Sequence, residues 1–186
     1  MRRREQTHFD TFGIAVTLSP DVKALEQTYR ALSLRLHPDR LGTASPQERR
    51  LSAEQSAALN EGLKVLRDPI RRTFYVLALE GVDLEREDGG HRGTVDPAFL
   101  EEILERREAL AEAREANDLA SAQAQAQAIQ RARDAALDEA RAALEARRED
   151  PSDAAALSTA TGALARVRYY VRFLDEVAAM EEESLS

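Results

Sequence analysis

The tripeptide His37-Pro38-Asp39 carries the side chains in this sequence that are best suited to polar chemistry. An imidazole and a carboxylate can exchange protons or make polar contacts. A catalytic role for His37 is disfavoured, because neither a cysteine nor a second histidine stands near it to complete a nucleophile–base set. His8 and His91 are isolated in the sequence, so the histidines supply no metal-ligand cluster. We therefore expect no enzymatic activity, no metal and no cofactor, and the role of the tripeptide has to be sought in the elements around it.

The composition predicts an all-α protein. Of the 186 residues, 43% are hydrophobic and 32% are charged; 33 are alanine and 24 are arginine. Alanine and arginine are strong helix formers, whereas Val, Ile and Thr are sparse, so the composition strongly disfavours a β-rich fold. The sequence has no cysteine, which excludes disulfides, thiolate metal sites and thiol nucleophiles. No apolar run approaches 18 residues and no apolar segment follows the arginines of MRRREQTHFD, so we expect a soluble cytoplasmic protein.

Two predicted helices flank the tripeptide. Ser19-Pro20 is a start signal for the first helix, and Pro38 ends it. The apolar face of this helix repeats at spacings of three and four: Val22, Leu25, Tyr29, Leu32 and Leu36. The second helix follows a loop over 37–44 and begins at Ser45-Pro46, where Glu48 completes a capping box. Asp68-Pro69 ends that helix, and a short helix to about Glu80 follows it.

Three further helices are predicted in the second half. They cover residues from Asp96-Pro97 to about 116, from about 118 to 149, and from about 153 to 180, after a polar, glycine-rich stretch at 86–95. Short connections between three such helices favour a three-helix bundle. Residues 1–80 contain 13 basic and 10 acidic residues, whereas residues 81–186 contain 13 basic and 24 acidic residues. The two halves therefore differ in charge, which suggests two modules with different partners.

The first half resembles the J domain of DnaJ-type co-chaperones. The stretch Tyr29–Leu36 is similar to the second J-domain helix and leads into His37-Pro38-Asp39. The stretch Leu59–Pro69 is similar to the third helix and its exit, and Arg71, Arg72 and Tyr75 match the short fourth helix. This context distinguishes the tripeptide from a chance match.

The second half narrows the resemblance to the HscB family, the J-domain co-chaperones of iron–sulfur cluster assembly. Phe74–Asp83 runs directly into the acidic bundle, Asp96–Glu108 looks like the first bundle helix of that family, and Val171–Asp175 looks like the signature in its last helix. The resemblance covers nearly the whole chain. It implies a J domain at 1–80, a linker at 81–95 and a three-helix scaffold-binding bundle at 96–186.

The resemblance also implies the partners. The J domain would engage an HscA-like DnaK-type chaperone and stimulate its ATPase, and the bundle would hold an IscU-like iron–sulfur scaffold protein; no nucleic acid or membrane is expected. The implied chaperone-binding residues are Arg30, Arg35, His37, Pro38, Asp39 and Arg40. The implied scaffold-binding residues are Leu100, Leu104, Glu105, Glu108, Glu112 and Phe173. Glu101 departs from the family, which often has an apolar residue there. Without cysteine, the chain lacks the zinc module of some relatives and any thiolate for a cluster.

Alternatives remain open at this point. The chain could be a J-domain adaptor that recruits a general DnaK-type chaperone to a different client, or a structural helical protein with an accidental tripeptide. Leu100, Leu104 and Phe173 could be exposed anchors or plain bundle core, and the three glutamates could be a solvated face.

Overall fold

The computed structural model describes residues 6–36, 45–84 and 95–184, and over these ranges it contains helices and no strand. The helices are α1 (His8–Phe12), α2 (Val22–Arg35), α3 (Pro46–Arg67), α4 (Pro69–Leu79), α5 (Pro97–Glu115), α6 (Leu119–Glu149) and α7 (Ala154–Ser184). The chain divides into two compact units, Met1–Val76 and Leu77–Ser186. None of the helices in the described ranges is long and apolar enough to cross a membrane. The all-α fold class is confirmed.

Helix α1 packs closely against α3 in the first unit. A capping box between Thr7 and Asp10 fixes its start, and its two phenylalanines, Phe9 and Phe12, are buried. A Cβ atom at Gly62 of α3 would lie 3.0 Å from Cε2 of Phe12. Only a residue without a side chain allows the two helices to approach this closely.

Helix α2 begins two residues later than predicted. Asp21, rather than Ser19, is the N-cap: its carboxylate accepts hydrogen bonds from the backbone N–H groups of Lys23 at 2.9 Å and Ala24 at 3.1 Å. The N–H of Ser19 instead donates to the hydroxyl of Thr17. A carboxylate that satisfies two free N–H groups at a helix start is a strong cap, and its negative charge is favourable there.

Helices α2 and α3 form an antiparallel hairpin. Ser45 and Glu48 make the predicted capping box at the start of α3, and these bonds from Ser45 lower the pKa of Glu48. Towards the other end of the hairpin, the hydroxyl of Tyr29 donates to Oδ1 of Asn60 at 2.8 Å. Near the loop, the hydroxyl of Ser52 donates to the carbonyl of Leu36 at 3.0 Å. The chain therefore leaves α2 and enters α3 at the same end of the unit.

A buried arginine joins α4 to the rest of the first unit. Arg72 is 6% exposed, and its guanidinium donates to the carbonyls of Leu18 and Leu66. These bonds satisfy a charge that would otherwise be costly to bury. On the same helix, the hydroxyl of Tyr75 accepts a hydrogen bond from the N–H of His8, and the two rings lie 4.5 Å apart. Burial lowers the pKa of His8, and the nearby carboxylate of Glu61 opposes this shift.

The second unit contains the expected three-helix bundle. Gln123 bonds to Glu181 and Arg166 to Glu139, so α6 runs antiparallel to α7. Arg114 pairs with Glu183, and the start of α5 contacts the middle of α7, so α5 runs parallel to α7. Helices α6 and α7 have 31 residues each, whereas α5 has 19. Helix α5 therefore packs only along the C-terminal half of α7.

The segment from Leu77 to Leu84 covers the other half of the α6–α7 pair. Leu77 and Leu84 are buried, Arg147 of α6 pairs with Glu80 at 3.2 Å, and Arg168 of α7 donates to the carbonyl of Leu84. The compact units consequently divide after Val76, whereas the sequence placed the division after residue 80. Residues 81–84 of the predicted linker pack against the bundle, and residues 85–94 lie outside the described residues.

Small side chains line the seam between α6 and α7. The buried alanines of these two helices are Ala122, Ala136, Ala140, Ala156, Ala160, Ala163 and Ala165. Larger apolar residues sit among them, including Ile129, Leu144 and Leu164. The alanine-rich composition of the second half thus corresponds to a closely packed helix pair.

Candidate interaction surfaces

The first candidate surface is the outward face of α2, which presents unpaired cations. Lys23, Arg30 and Arg35 are exposed, and none of them makes an ion pair with a described carboxylate. Glu26, which shares this helix, is half-buried and makes no ion pair with Arg30. The surface extends to Arg35, the last residue of α2, which Leu36 follows as the C-cap. The other predicted chaperone contacts, His37, Pro38, Asp39 and Arg40, lie outside the described residues.

The cations of α2 differ from most arginines of the bundle. Arginines of the second unit that form ion pairs are Arg106, Arg107, Arg114, Arg133, Arg141, Arg147, Arg148 and Arg166. Their charges are largely balanced within the unit. The α2 cations are not balanced in this way, so their field is directed at solvent or at an acidic partner.

The second candidate surface lies along α5. Leu104 is 58% exposed, and Leu100, one turn earlier, is half-buried. The predicted carboxylates Glu105, Glu108 and Glu112 are all exposed, as is Glu101. Residues at these spacings share one side of a helix. The structure therefore brings the α5 members of the predicted scaffold-binding set onto one accessible stripe.

Charges on α5 are separated by side. Arg106 pairs with Glu102 of its own helix, Arg107 pairs with Glu176 of α7, and Arg114 pairs with Glu183 of α7. Glu105, Glu108 and Glu112 make no ion pair among the described residues. Arg107 and Arg114 thus hold α5 against α7, and the stripe around Leu104 keeps an unbalanced negative charge.

Phe173 does not lie on this accessible stripe. Its side chain is 1% exposed, in the core of the bundle. Of the two alternatives left open for Phe173, an exposed anchor or bundle core, the structure favours bundle core. The reason is periodicity: Phe173 is in register with Val177 and Met180, which are also buried on the inner face of α7. Any effect of Phe173 on binding has to act through the shape of the bundle.

An aromatic cluster fixes the start of α5. The ring of Phe99 meets those of Tyr169 and Tyr170 edge to face, at centroid distances of 5.7 and 5.5 Å. This geometry is favourable for aromatic pairs. Burial, together with the carboxylate of Glu102, raises the pKa of Tyr170. The cluster places the first turn of α5, and with it Leu100, against α7.

One exposed residue of the α2 surface was missed at the level of sequence. Leu34 is 63% exposed. The signal was present, because Leu34 falls outside the repeat of apolar residues at spacings of three and four that defines the inner face of α2. Within the described ranges, no three His, Cys, Asp or Glu side chains are grouped so that they could hold an ion.

A helical hairpin preceded by a short helix, joined through α4 to a three-helix bundle, is the architecture of a J-domain co-chaperone. The chain is similar to the solved structure of the chaperone HscB from Vibrio cholerae, with a TM-score of 0.76 and 27% identity, over 95% of this chain and 98% of that one. Its fold is also that of the human co-chaperone protein HscB, with a TM-score of 0.78 at 24% identity, over 96% of this chain and 84% of that one.

Sequence relatives give the same assignment. Residues 95–178 match the family model of the HSCB C-terminal oligomerisation domain. The chain is 44% identical over 108 residues to the co-chaperone protein HscB homolog of Bordetella petrii, which is 58% of this chain and 62% of that protein. It is 41% identical over 119 residues to the homolog of Ralstonia nicotianae, which is 64% of this chain and 66% of that protein. The matches thus span somewhat less than two thirds of these relatives. The chain is therefore similar to co-chaperones of the HscB family in sequence and in fold, as its sequence suggested.

Proposed function

We propose that this chain is a co-chaperone of iron–sulfur cluster assembly that links two proteins. The first unit engages an HscA-like DnaK-type chaperone and stimulates its ATPase. The bundle binds an IscU-like scaffold protein and delivers it to that chaperone. The chain itself hydrolyses nothing, because its role is to present two surfaces. The observation that carries the proposal is the pair of exposed, oppositely charged surfaces on separate compact units.

The chaperone surface combines α2 with the tripeptide that follows it. Arg30 and Arg35 can pair with carboxylates in the bidentate geometry of guanidinium groups. Because they have no partner among the described residues, pairing them does not require an existing ion pair to break. His37 and Asp39 supply polar contacts, and Pro38 restricts the segment that presents them.

The scaffold surface is the stripe on α5. Leu104 offers apolar area, and Glu105, Glu108 and Glu112 surround it with negative charge. An apolar centre with a charged rim is a common arrangement for protein recognition. Glu101 extends the charged rim where relatives often have an apolar residue, so electrostatic attraction has a larger share in this member. The scaffold protein would then present basic side chains around an apolar site.

The chaperone half of the proposal is tested with the His37→Gln variant. The steady-state ATPase rate of a purified HscA-like chaperone is measured with and without this chain, and we expect the wild-type chain to raise that rate in a saturable manner. His37→Gln should lose most of this stimulation while keeping the circular dichroism spectrum and the affinity for the scaffold. Equal stimulation by the two proteins would support the structural alternative with an accidental tripeptide.

The scaffold half is tested by calorimetric titration with the IscU-like protein. We expect Leu104→Ala to weaken binding by about 1–2 kcal/mol, because an exposed anchor is removed without a cavity. Leu51→Ala is the matched control: Leu51 is 54% exposed on α3 and lies outside the stripe. No binding of the wild-type chain at tens of micromolar, with ATPase stimulation intact, would favour the adaptor for a different client.

A further inference from the structure

Leu34 is the most exposed of the large hydrophobic residues in the described part of the chain. It is 63% exposed, compared with 54% for Leu51 and 41% for Leu79. Its helix buries Leu25 on the opposite side, so the fold of α2 does not depend on Leu34. A single exposed leucine is ordinary on a protein surface. Leu34 differs from the other exposed leucines in lying beside the exposed cations of α2.

Leu34 lies in line with the cations of α2. Lys23, Gln27 and Arg30 precede it at spacings of four, three and four residues, which place all four side chains on one face of the helix. Arg35 is its neighbour in sequence. Each of these residues is exposed, and none of the three cations is paired with a described carboxylate. This face of α2 is therefore a basic stripe with one apolar side chain, Leu34, at its C-terminal end. Leu34 lies on the last turn of α2, just before His37-Pro38-Asp39 in the sequence.

We propose that Leu34 is the apolar anchor of the chaperone-binding surface. It enters an apolar depression on the DnaK-type chaperone, and the carboxylates around that depression pair with Arg30 and Arg35. This inference rests on the proposed function and adds to it the chemistry of the partner. Charge complementarity selects an acidic surface, and the leucine requires that surface to have an apolar centre, as a fully charged patch would leave the side chain unmatched.

The test is a titration of ATPase stimulation with the full-length chain. For Leu34→Ala we expect the concentration of half-maximal stimulation to rise about tenfold, which corresponds to a weaker complex by about 1.4 kcal/mol. The maximal rate should be retained, because the tripeptide is intact. Leu34→Met should restore most of the affinity, and Leu51→Ala should behave as the wild type. The melting temperatures of all variants should agree, since neither leucine is buried.

Measurements at different ionic strengths distinguish the contribution of Leu34 to chaperone binding from that of the cations on α2. Raising the salt concentration should raise the concentration of half-maximal stimulation by the same factor for the wild type and for Leu34→Ala. For Arg30→Ala that concentration should depend less on salt, because one charge of the interaction is missing. An unchanged half-maximal concentration for Leu34→Ala overturns the anchor while the proposed function stands. Equal losses for Leu34→Ala and Leu51→Ala also overturn it. If the wild-type chain stimulates nothing, the proposed function itself fails, and the inference falls with it.

Discussion

Gly62 and Gly162 are both helical glycines, but their surroundings differ. A Cβ at Gly62 would meet the ring of Phe12 at 3.0 Å, whereas nothing lies within 4 Å of a Cβ at Gly162. Helix propensity favours alanine over glycine by about 1 kcal/mol at either position. The steric environment of each glycine therefore decides the sign of the effect.

We expect Gly162→Ala to raise the free energy of unfolding by about 0.5–1 kcal/mol, as the propensity gain is not opposed. Gly62→Ala should lower it by about 1 kcal/mol or more, because overpacking between α1 and α3 outweighs that gain. Urea unfolding followed by circular dichroism measures both. Stabilisation by both substitutions would show that α1 moves away from α3 without cost.

At the scale of the element, the two sides of the bundle helices have different functions. Phe173 faces inward from α7, and Leu104 faces outward from α5. Truncating each of them to alanine distinguishes a residue that stabilises the bundle from a residue that contributes to scaffold binding, because one truncation is in the core and the other is on the surface.

Phe173→Ala should destabilise the second unit by about 3–5 kcal/mol, the usual cost of a large cavity. Leu104→Ala should change stability by no more than about 0.5 kcal/mol. Thermal melts combined with scaffold titrations at a temperature where both variants are folded distinguish the two effects. A Phe173→Ala protein with unchanged melting temperature and weakened binding would restore Phe173 as a direct contact.

Most elements could be predicted from local signals. Ser45 and Asp96 cap the helices that their sequence context predicts, since a side-chain oxygen and a following proline act within one turn, and at Ser45 the third residue, Glu48, adds a capping box. Ser19-Pro20 predicts a start of α2 that is two residues too early, because Asp21 is an equally good cap and only the backbone geometry decides between the two residues. The burial of Phe173 depends on the rotation of α7 in the bundle, which short patterns do not determine.

At the scale of the molecule, the unit boundary was harder to predict. Asp68-Pro69 and the glycines near 89–93 are visible in the sequence, and they suggested a J domain up to residue 80. The structure instead divides the units after Val76: Leu77 and Leu84 are buried, Glu80 pairs with Arg147, and the carbonyl of Leu84 accepts a hydrogen bond from Arg168. A contact between distant parts of the chain sets this boundary, and no local signal marks it.

The assignment of residues 77–84 predicts a specific pattern of stability. Leu77→Ala should destabilise the second unit by about 2–5 kcal/mol. Leu79→Ala, two residues later and 41% exposed, should have an effect of about 0.5 kcal/mol or less. Amide hydrogen exchange resolves the units: faster exchange in the region of Leu144 and Leu164 for Leu77→Ala confirms the assignment. Faster exchange confined to α1–α3 would contradict it.

The alanine seam between α6 and α7 limits how this sequence can vary. Where a methyl group fills the gap between two backbones, both larger and smaller side chains are unfavourable: a leucine at Ala160 has no room, and a glycine there loses helix propensity. The alternating alanines and glutamines at Ala120–Ala128, whose Ala122 is buried, therefore resemble low-complexity sequence only in their composition. At the buried alanine positions of this seam, we expect homologous bundles to tolerate little beyond alanine and serine, whereas the outer positions are free to diverge.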